Sequence, residues 1–342
     1  MRVAVVGATG AVGTVILDIL EERHFPADEI VPFASGRSAG RELRGMTVQP
    51  LTEETIQGFD LAIFSAGGSV SGEWAPRFAQ AGAVVVDNSS RWRMHDDVPL
   101  VVAEVNPGDL EGHRGIVANP NCSTMQMMVV LKPILDEAGI ERLVITTMQS
   151  VSGTGQKAMD ALRAESAAAL EGREVELSGV YPHQIAFNVL PQAGSFPEGS
   201  DYTDEELKLV NETRKILGQP DIAVSATCTR VPVLIGHSES VNVQTREPLS
   251  PERCRELLAN APGVEVVDDP AAGVYPLAID AAGRDPVYVG RIRRDPSHER
   301  ALNLFIVADN LRKGAALNAV QLAELLVERD LVHGAPAGAE IA

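Results

Sequence analysis

The sequence predicts an α/β protein of two domains: a Rossmann-type, doubly wound parallel sheet at the N-terminus, then an α+β domain on a largely antiparallel sheet. Three observations predict it. Over the first third, short apolar runs alternate with amphipathic stretches. After Arg142 the runs lengthen and several take up Val-x-Val alternation, the mark of strands with one covered face. The length, 342 residues, also exceeds what one hydrophobic core usually serves.

Val3–Val6, Ile30–Ala34, Leu61–Ser65, Ala83–Asp87 and Ile116–Ala118 read as buried strands, because each is a short apolar run bounded by turn residues. Ala11–Arg23 and Ser71–Ala81 read as the helices between them. Ser123 to Ala138 is a long helical pattern. In the second domain the strands fall at Arg142–Val151, Ile222–Val233, Ser238–Arg246, Val287–Arg293 and Ala301–Asp309, and the helices at about 155–171, 203–217 and 250–260. Thr203 and Glu206 form a T-x-x-E capping box at the start of the middle helix. The last helix, Leu311 to Arg329, turns Leu317, Val320, Leu325 and Leu326 toward a core, and the Gly-Ala-Pro-Ala-Gly-Ala stretch after it reads as a frayed tail. The expected division is 1–121, completed by a C-terminal helix at 310–330, and 122–309.

Composition excludes several classes. A net charge of −18 argues against nucleic acid or an anionic membrane surface as partner. No apolar run approaches the ~20 residues that cross a bilayer, and the N-terminus reads as a strand rather than a signal peptide. Cys122, Cys228 and Cys254 are too few and too scattered for a disulfide framework or a zinc site, which points to a reducing cytoplasm and no metal.

Gly7-Ala8-Thr9-Gly10-Ala11-Val12-Gly13 is a G-x-x-G-x-x-G turn between the first strand and the first helix. Glycines there allow a pyrophosphate to approach the helix N-terminus closely. Such turns also occur without a ligand, but the position at the first βα turn favours a dinucleotide. An NAD enzyme usually places Asp or Glu about 20 residues further on. Here the second strand ends in Ala34-Ser35-Gly36-Arg37-Ser38, a guanidinium between two hydroxyls, which suits the 2′-phosphate of NADP.

Cys122 follows the strand-like Ile116–Ala118 and the turn Asn119-Pro120-Asn121, and it opens the next helical pattern. The N-terminus of a helix favours a thiolate, and a nucleophile at a strand-to-helix turn recurs in covalent enzymes. A buried structural cysteine is the other reading. His237, after Gly236 at the start of a strand, suits an exposed, mobile proton shuttle or an ordinary surface turn. His183 is its rival. Arg230, ending an apolar strand, needs a partner, either a substrate carboxylate or a structural acid. Gln149 precedes a second glycine-serine loop, 150–155, and could line the same cleft.

Nine segments in order, GATGAVG at 7–13, SGRSAGR at 35–41, NSSRWRM at 88–94, NPNCST at 119–124, QSVSGTG at 149–155, YPHQIAFN at 181–188, EELKLVNETRKIL at 205–217, TRVPVLIGHS at 229–238 and ADNLRKGAA at 308–316, resemble those of the aspartate-β-semialdehyde dehydrogenase family. The resemblance implies a phosphate-dependent, NADP-linked interconversion of aspartate semialdehyde and β-aspartyl phosphate, feeding lysine, methionine, threonine and diaminopimelate synthesis, in a homodimer. It implies Cys122 as acyl-thioester nucleophile, His237 as acid/base, and Gln149 and Arg230 on the substrate, the latter on its α-carboxylate. Glu205 would meet the α-amino group, and Arg91 and Lys208 would bind phosphate. Gly7, Thr9, Gly10, Ala11, Val12, Gly13, Ser35, Arg37, Ser38, Ser152, Gly153 and Asn310 would hold NADP. On one helix, Glu205 and Lys208 are i and i+3 and can face one site, whereas Glu206 belongs to the capping box. Two competing readings are an N-acetyl-γ-glutamyl-phosphate reductase, which would not need Glu205 to meet a free ammonium, and a non-catalytic paralogue, whose mark would be loss of Cys122 or His237.

Overall fold

The structure, a computed structural model, describes residues 1–36 and 38–332. Arg37 and the expected tail lie outside the described residues. The chain divides into two compact units, Met1–Asn121 with the chain from Ala315, and Cys122–Gly314.

The first unit is a five-stranded parallel sheet. Its elements run β1 (Arg2–Val6), α1 (Ala11–Glu22), β2 (Glu29–Phe33), a small antiparallel hairpin of β3 (Glu42–Leu43) and β4 (Met46–Thr47), β5 (Leu61–Phe64), α2 (Gly68–Gln80), β6 (Val84–Asp87) and β7 (Ile116–Ala118). The sheet order is β2-β1-β5-β6-β7, all neighbours parallel. The strand order reverses beside β1, so a crevice opens at the carboxyl ends of β1 and β5, where parallel sheets bind ligands. The C-terminal helix Leu317–Glu328 joins this unit through Leu317, Val320, Leu322 and Leu326, which pack with Ile16, Ile19, Leu20 and the sheet residues Val3, Val5, Leu61 and Ile63. That helix starts later than the sequence pattern predicts: Arg312–Ala316 is a π-helical turn, and residues 310–314 fall in the second unit.

The second unit carries α3 (Cys122–Ala138), β8 (Ile140–Gln149), α4 (Gln156–Leu170), α5 (Asp204–Leu217), β9 (Ala223–Arg230), β10 (His237–Thr245), α6 (Pro251–Ala259), β11 (Val264–Val266), the short α7 (Ala278–Ala281), β12 (Val287–Arg294) and β13 (Ala301–Ala308). The sheet order is β11-β12-β13-β10-β8-β9. It is mixed: the three central pairings are antiparallel, and the pairings at the two edges are parallel. Sequence alternation registers which face is covered, not the direction of the neighbour, so the parallel edges were not legible in it.

Helix α3 packs across β8, β10, β12 and β13. Along β10 the buried positions alternate as His237, Glu239, Val241 and Val243, and along β8 as Leu143, Ile145, Thr147 and Gln149. One face is therefore apolar at one end and polar at the other. The polar end lies at the start of α3, with Cys122. Helix α5 is fixed by the expected capping box: Thr203 Oγ1 accepts from the Glu206 N–H at 3.2 Å, and the Thr203 N–H donates to Glu206 Oε2 at 2.8 Å. Glu206 Oε1 also accepts from the Cys228 N–H at 2.9 Å, tying α5 to β9.

Candidate active site

In the first unit, the glycine turn is shaped by backbone crowding. Gly7 has φ +86°, and a Cβ there would stand 2.4 Å from the Ser65 carbonyl oxygen at the end of β5. A Cβ on Gly13 would stand 2.1 Å from the Gly7 carbonyl oxygen. Side chains at either position would break the turn. Thr9 and Gly10 are exposed at its tip, Ala11 and Val12 begin α1, and no side chain caps that helix, whose first N–H groups remain for an anion. Ser35 and Ser38 form the turn after β2, with the Ser38 N–H donating to the Ser35 carbonyl at 2.8 Å. Arg91 is exposed, lies along Gly72 of α2 and stacks 5.3 Å from the Trp92 ring.

In the second unit, Cys122 opens α3 and stands where helix dipoles favour negative charge. It is partly exposed and in no disulfide. Gly314 lies against it so closely that a Cβ there would sit 2.8 Å from Cys122 Cβ. Nothing in the R-K-G-A-A sequence marked this glycine. The other two thiols are buried, and burial pushes Cys254 up to about 12 and Cys228 higher still. Neither is a thiolate at neutral pH.

Gln149, the last residue of β8, donates through Nε2 to Ser123 Oγ at 2.5 Å and to Glu205 Oε1 at 3.2 Å, while its Oε1 is buried without a partner. Glu205 Oε2 meets Lys208 Nζ at 3.1 Å, and Lys208 also meets Asp204 at 2.6 Å. Burial lowers the Lys208 ammonium, but Glu205 and Asp204 outweigh it and raise it, so Lys208 stays charged.

Arg230 ends β9, opposite Gln149 in register. It is buried; Nη1 donates to the Ser150 carbonyl at 2.7 Å, and Nε is buried with no partner. No carboxylate among the described residues pairs with it. His237 is completely buried, which corrects the exposed, mobile histidine that its place after a glycine turn suggests. Its Nδ1 accepts from the Ser150 N–H at 3.1 Å, and its Nε2 has no partner. Burial and the Arg230 charge hold its pKa well below the ordinary histidine range, so the ring is neutral. A Cβ on Gly153 would lie 3.1 Å from Arg230 Nη1 and 3.2 Å from His237 Nε2, so both side chains converge on this glycine. His183, the rival base, is exposed.

Asn310 and Ser152 are buried and bonded to each other at 2.9 Å. Glu239 is a further buried group. Fully enclosed on β10, its carboxyl is driven far above the usual range by burial, with only the Gln126 amide beside it in opposition. It stands two positions after His237 on the same face, a spacing readable in H-S-E-S. The unfolded chain ionises this carboxyl above about pH 4.3, whereas the folded chain does so only at higher pH. Its contribution to stability is thus full below that value and is lost as pH rises through the folded pKa. Glu239→Gln should therefore gain on the wild type by about 1.4 kcal/mol per pH unit through that window. Urea melts at pH 5 and pH 8 check this: a gap that fails to widen at pH 8 contradicts a neutral Glu239.

Among the described residues no helix is long and apolar enough to cross a membrane, and no group of His, Cys, Asp and Glu could hold a metal ion. Two family models match the chain: "Semialdehyde dehydrogenase, NAD binding domain" over residues 2–113 and "Semialdehyde dehydrogenase, dimerisation domain" over residues 131–313. The aspartate-semialdehyde dehydrogenase of Aquifex aeolicus is 55% identical over 338 residues, 97% of this chain and 99% of that protein. The crystal structure of aspartate semialdehyde dehydrogenase II complexed with ASA from Vibrio cholerae is 48% identical with a TM-score of 0.91, over 96% of this chain and 98% of that one. The structure of the Candida albicans enzyme with NADP is 26% identical with a TM-score of 0.73, over 96% and 99%.

Proposed function

This chain belongs to the aspartate-semialdehyde dehydrogenase family of oxidoreductases, and from that premise we propose that it interconverts L-aspartate 4-semialdehyde and L-4-aspartyl phosphate with NADP and inorganic phosphate, through a thioester on Cys122. The observation that carries the reading is the convergence at Gly153 of a buried Arg230 with a free Nε and a buried His237 with a free Nε2. A buried guanidinium with no carboxylate partner is matched to an anionic ligand.

In the oxidising direction the Cys122 thiol gives its proton to His237 Nε2 and the thiolate adds to the aldehyde carbon; the imidazolium so formed passes that proton to the new oxyanion. Arg230 holds the α-carboxylate and Glu205 the α-ammonium, so the aldehyde carbon faces Cys122 in one orientation. Gln149 Oε1 is the free acceptor beside Glu205. His237 then recovers the hydroxyl proton as the adduct collapses to the thioester. NADP, when bound, supplies the hydride acceptor. Phosphate attacks the thioester carbonyl, the C–S bond breaks, and Cys122 leaves as thiolate. We assign phosphate binding to Lys208 in the second unit and to Arg91 in the first. The glycine turn fits a dinucleotide pyrophosphate, since no side chain caps the N-terminus of α1 that it leads into; Gly7, Thr9, Gly10, Ala11, Val12 and Gly13 would hold it, with Ser35, Arg37 and Ser38 at the 2′-phosphate. We assign the chain to a homodimer, in keeping with its match to a dimerisation domain and with exposed Leu170, Leu177, Phe187, Val189 and Phe196 in the second unit. Unbridged cysteines accord with a cytoplasmic enzyme of lysine, methionine, threonine and diaminopimelate synthesis.

The test is NADPH formation from aspartate semialdehyde with and without phosphate, beside the N-acetylated glutamate analogue. Turnover that needs no phosphate, or that prefers the N-acylated substrate, overturns the proposal. Arg37→Ala should weaken NADP by about 1.5–3 kcal/mol while scarcely changing NAD, because only NADP carries the 2′-phosphate. Cofactor titrations measure it, and equal losses for both would remove Arg37 from that role.

A further inference from the structure

An imidazole has two nitrogens, and the group that meets the rear nitrogen sets what the front one can do. In His237 the front nitrogen is Nε2, beside Gly153 and without a partner. The rear nitrogen, Nδ1, meets Ser150 twice: the backbone N–H at 3.1 Å and the hydroxyl Oγ at 3.1 Å. The N–H can only donate, so it favours the ring with its proton on Nε2, a form that can hydrogen-bond an oxyanion but cannot take up a proton at Nε2. The hydroxyl is different. It can donate to Nδ1, or it can accept from Nδ1–H if its own proton has another destination.

Asn310 provides that destination. Its side chain is buried, and Oδ1 accepts from Ser150 Oγ at 3.0 Å, from Ser152 Oγ at 3.1 Å and from the Gly236 N–H at 2.9 Å. The last bond fixes the residue just before His237. When His237 works as a base, Nε2 must be bare and Nδ1 must hold the proton. Nδ1–H then donates to Ser150 Oγ, and the hydroxyl proton turns to Asn310 Oδ1. Without that hydroxyl, the hydrogen-bonding neighbour left to Nδ1 among the described residues is an N–H that cannot accept.

We infer that Ser150 and Asn310 form the orienting arm of His237, a positioning pair that lets the ring alternate between acid and base. The assignment rests on the proposed role of His237. It also gives Asn310 work beyond the cofactor contact that its family resemblance implies. The arm carries no charge, unlike the carboxylate that orients histidine in many nucleophilic enzymes. The charged and titratable groups around the ring are few. Arg230 on β9 acts on it directly, Glu239 on its own strand is held neutral by burial, and Glu205 of α5, paired with Lys208, meets β8 at Gln149. From α3, Gln126 donates to the His237 carbonyl at 3.4 Å, and β13 opposes it with Ala308.

Ser150→Ala keeps the N–H and removes the acceptor. It should lower kcat by roughly tenfold or more, part of the 10²–10⁴ that acid–base catalysis contributes, with NADP affinity unchanged. Asn310→Asp keeps the acceptor and adds a negative charge, which favours the protonated ring. The acid limb of its kcat–pH profile should move to higher pH. Heteronuclear NMR of ring-labelled histidine gives a readout apart from turnover: in the wild type one ring should carry its proton on Nε2 and stay neutral to low pH, and in Asn310→Asp it should titrate higher. Wild-type kcat in Ser150→Ala, an unmoved profile in Asn310→Asp, or losses that follow weakened NADP binding alone would overturn the arm. An active wild type with unaffected variants condemns only the arm; a wild type with no turnover but the expected NMR behaviour condemns the assigned reaction.

Discussion

Cys122→Ser should retain the fold and bind NADP as the wild type does, yet lose turnover by at least on the order of a thousandfold. The reason lies in the place as much as the residue. Cys122 opens α3 and is pressed by Gly314, so a hydroxyl of nearly the same size fits without repacking. A free thiol loses its proton near pH 8.5, and a helix N-terminus draws that value down; an alcohol stays protonated. No other thiol can substitute, because burial holds Cys254 at about 12 and Cys228 above it. The checks are thermal melting, a NADP titration and steady-state NADPH formation. Near-normal turnover would remove the thioester from the mechanism. Labelling with a thiol reagent gives the same answer from the other side: one fast-reacting cysteine in the wild type and none in the variant.

For Arg230→Lys the expected result is a loss in kcat/KM of at least about a hundredfold, with charge, fold and NADP affinity retained. Arg230 does two things at once. Nη1 donates to the Ser150 carbonyl at 2.7 Å, which sets the direction of the guanidinium, and Nε remains in a buried position with nothing to meet. A planar fork can anchor itself by one edge and grip a carboxylate by the other, whereas an ammonium is a single point. Lysine would keep either the Ser150 bond or the substrate, and a reacting carbon displaced by about an ångström reacts roughly a hundredfold slower. Burial, with the charge on Arg230, keeps His237 neutral, and lysine preserves both. The loss should therefore appear in kcat/KM for the semialdehyde without a shift of the pH profile. A lysine variant that works nearly normally, or fails by losing NADP, would show that Arg230 is not the carboxylate anchor.

The sequence by itself determined the alternation of strands and helices in the first unit, the glycine turn and the capping box at Thr203 and Glu206. These are local properties: hydrophobic period, turn chemistry and helix ends are written in neighbouring residues. It also placed Cys122 at the start of a helix, because the strand, the Asn-Pro-Asn turn and the helical run are contiguous. What only the tertiary structure decided is what each side chain meets. His237 reads as a turn residue because its flanks are Gly236 and Ser238, yet it is fully buried, since β10 lies between β8 and β13 in the middle of the sheet. The free Nε of Arg230 and the burial of Glu239 depend on residues brought in from β8 and α3. Ser150, Ser152, Gly236 and Asn310 come from three distant stretches, and no spacing announces their shared bonds. Hydrogen-bond partners and desolvation arise from long-range packing, and a one-dimensional pattern records neither.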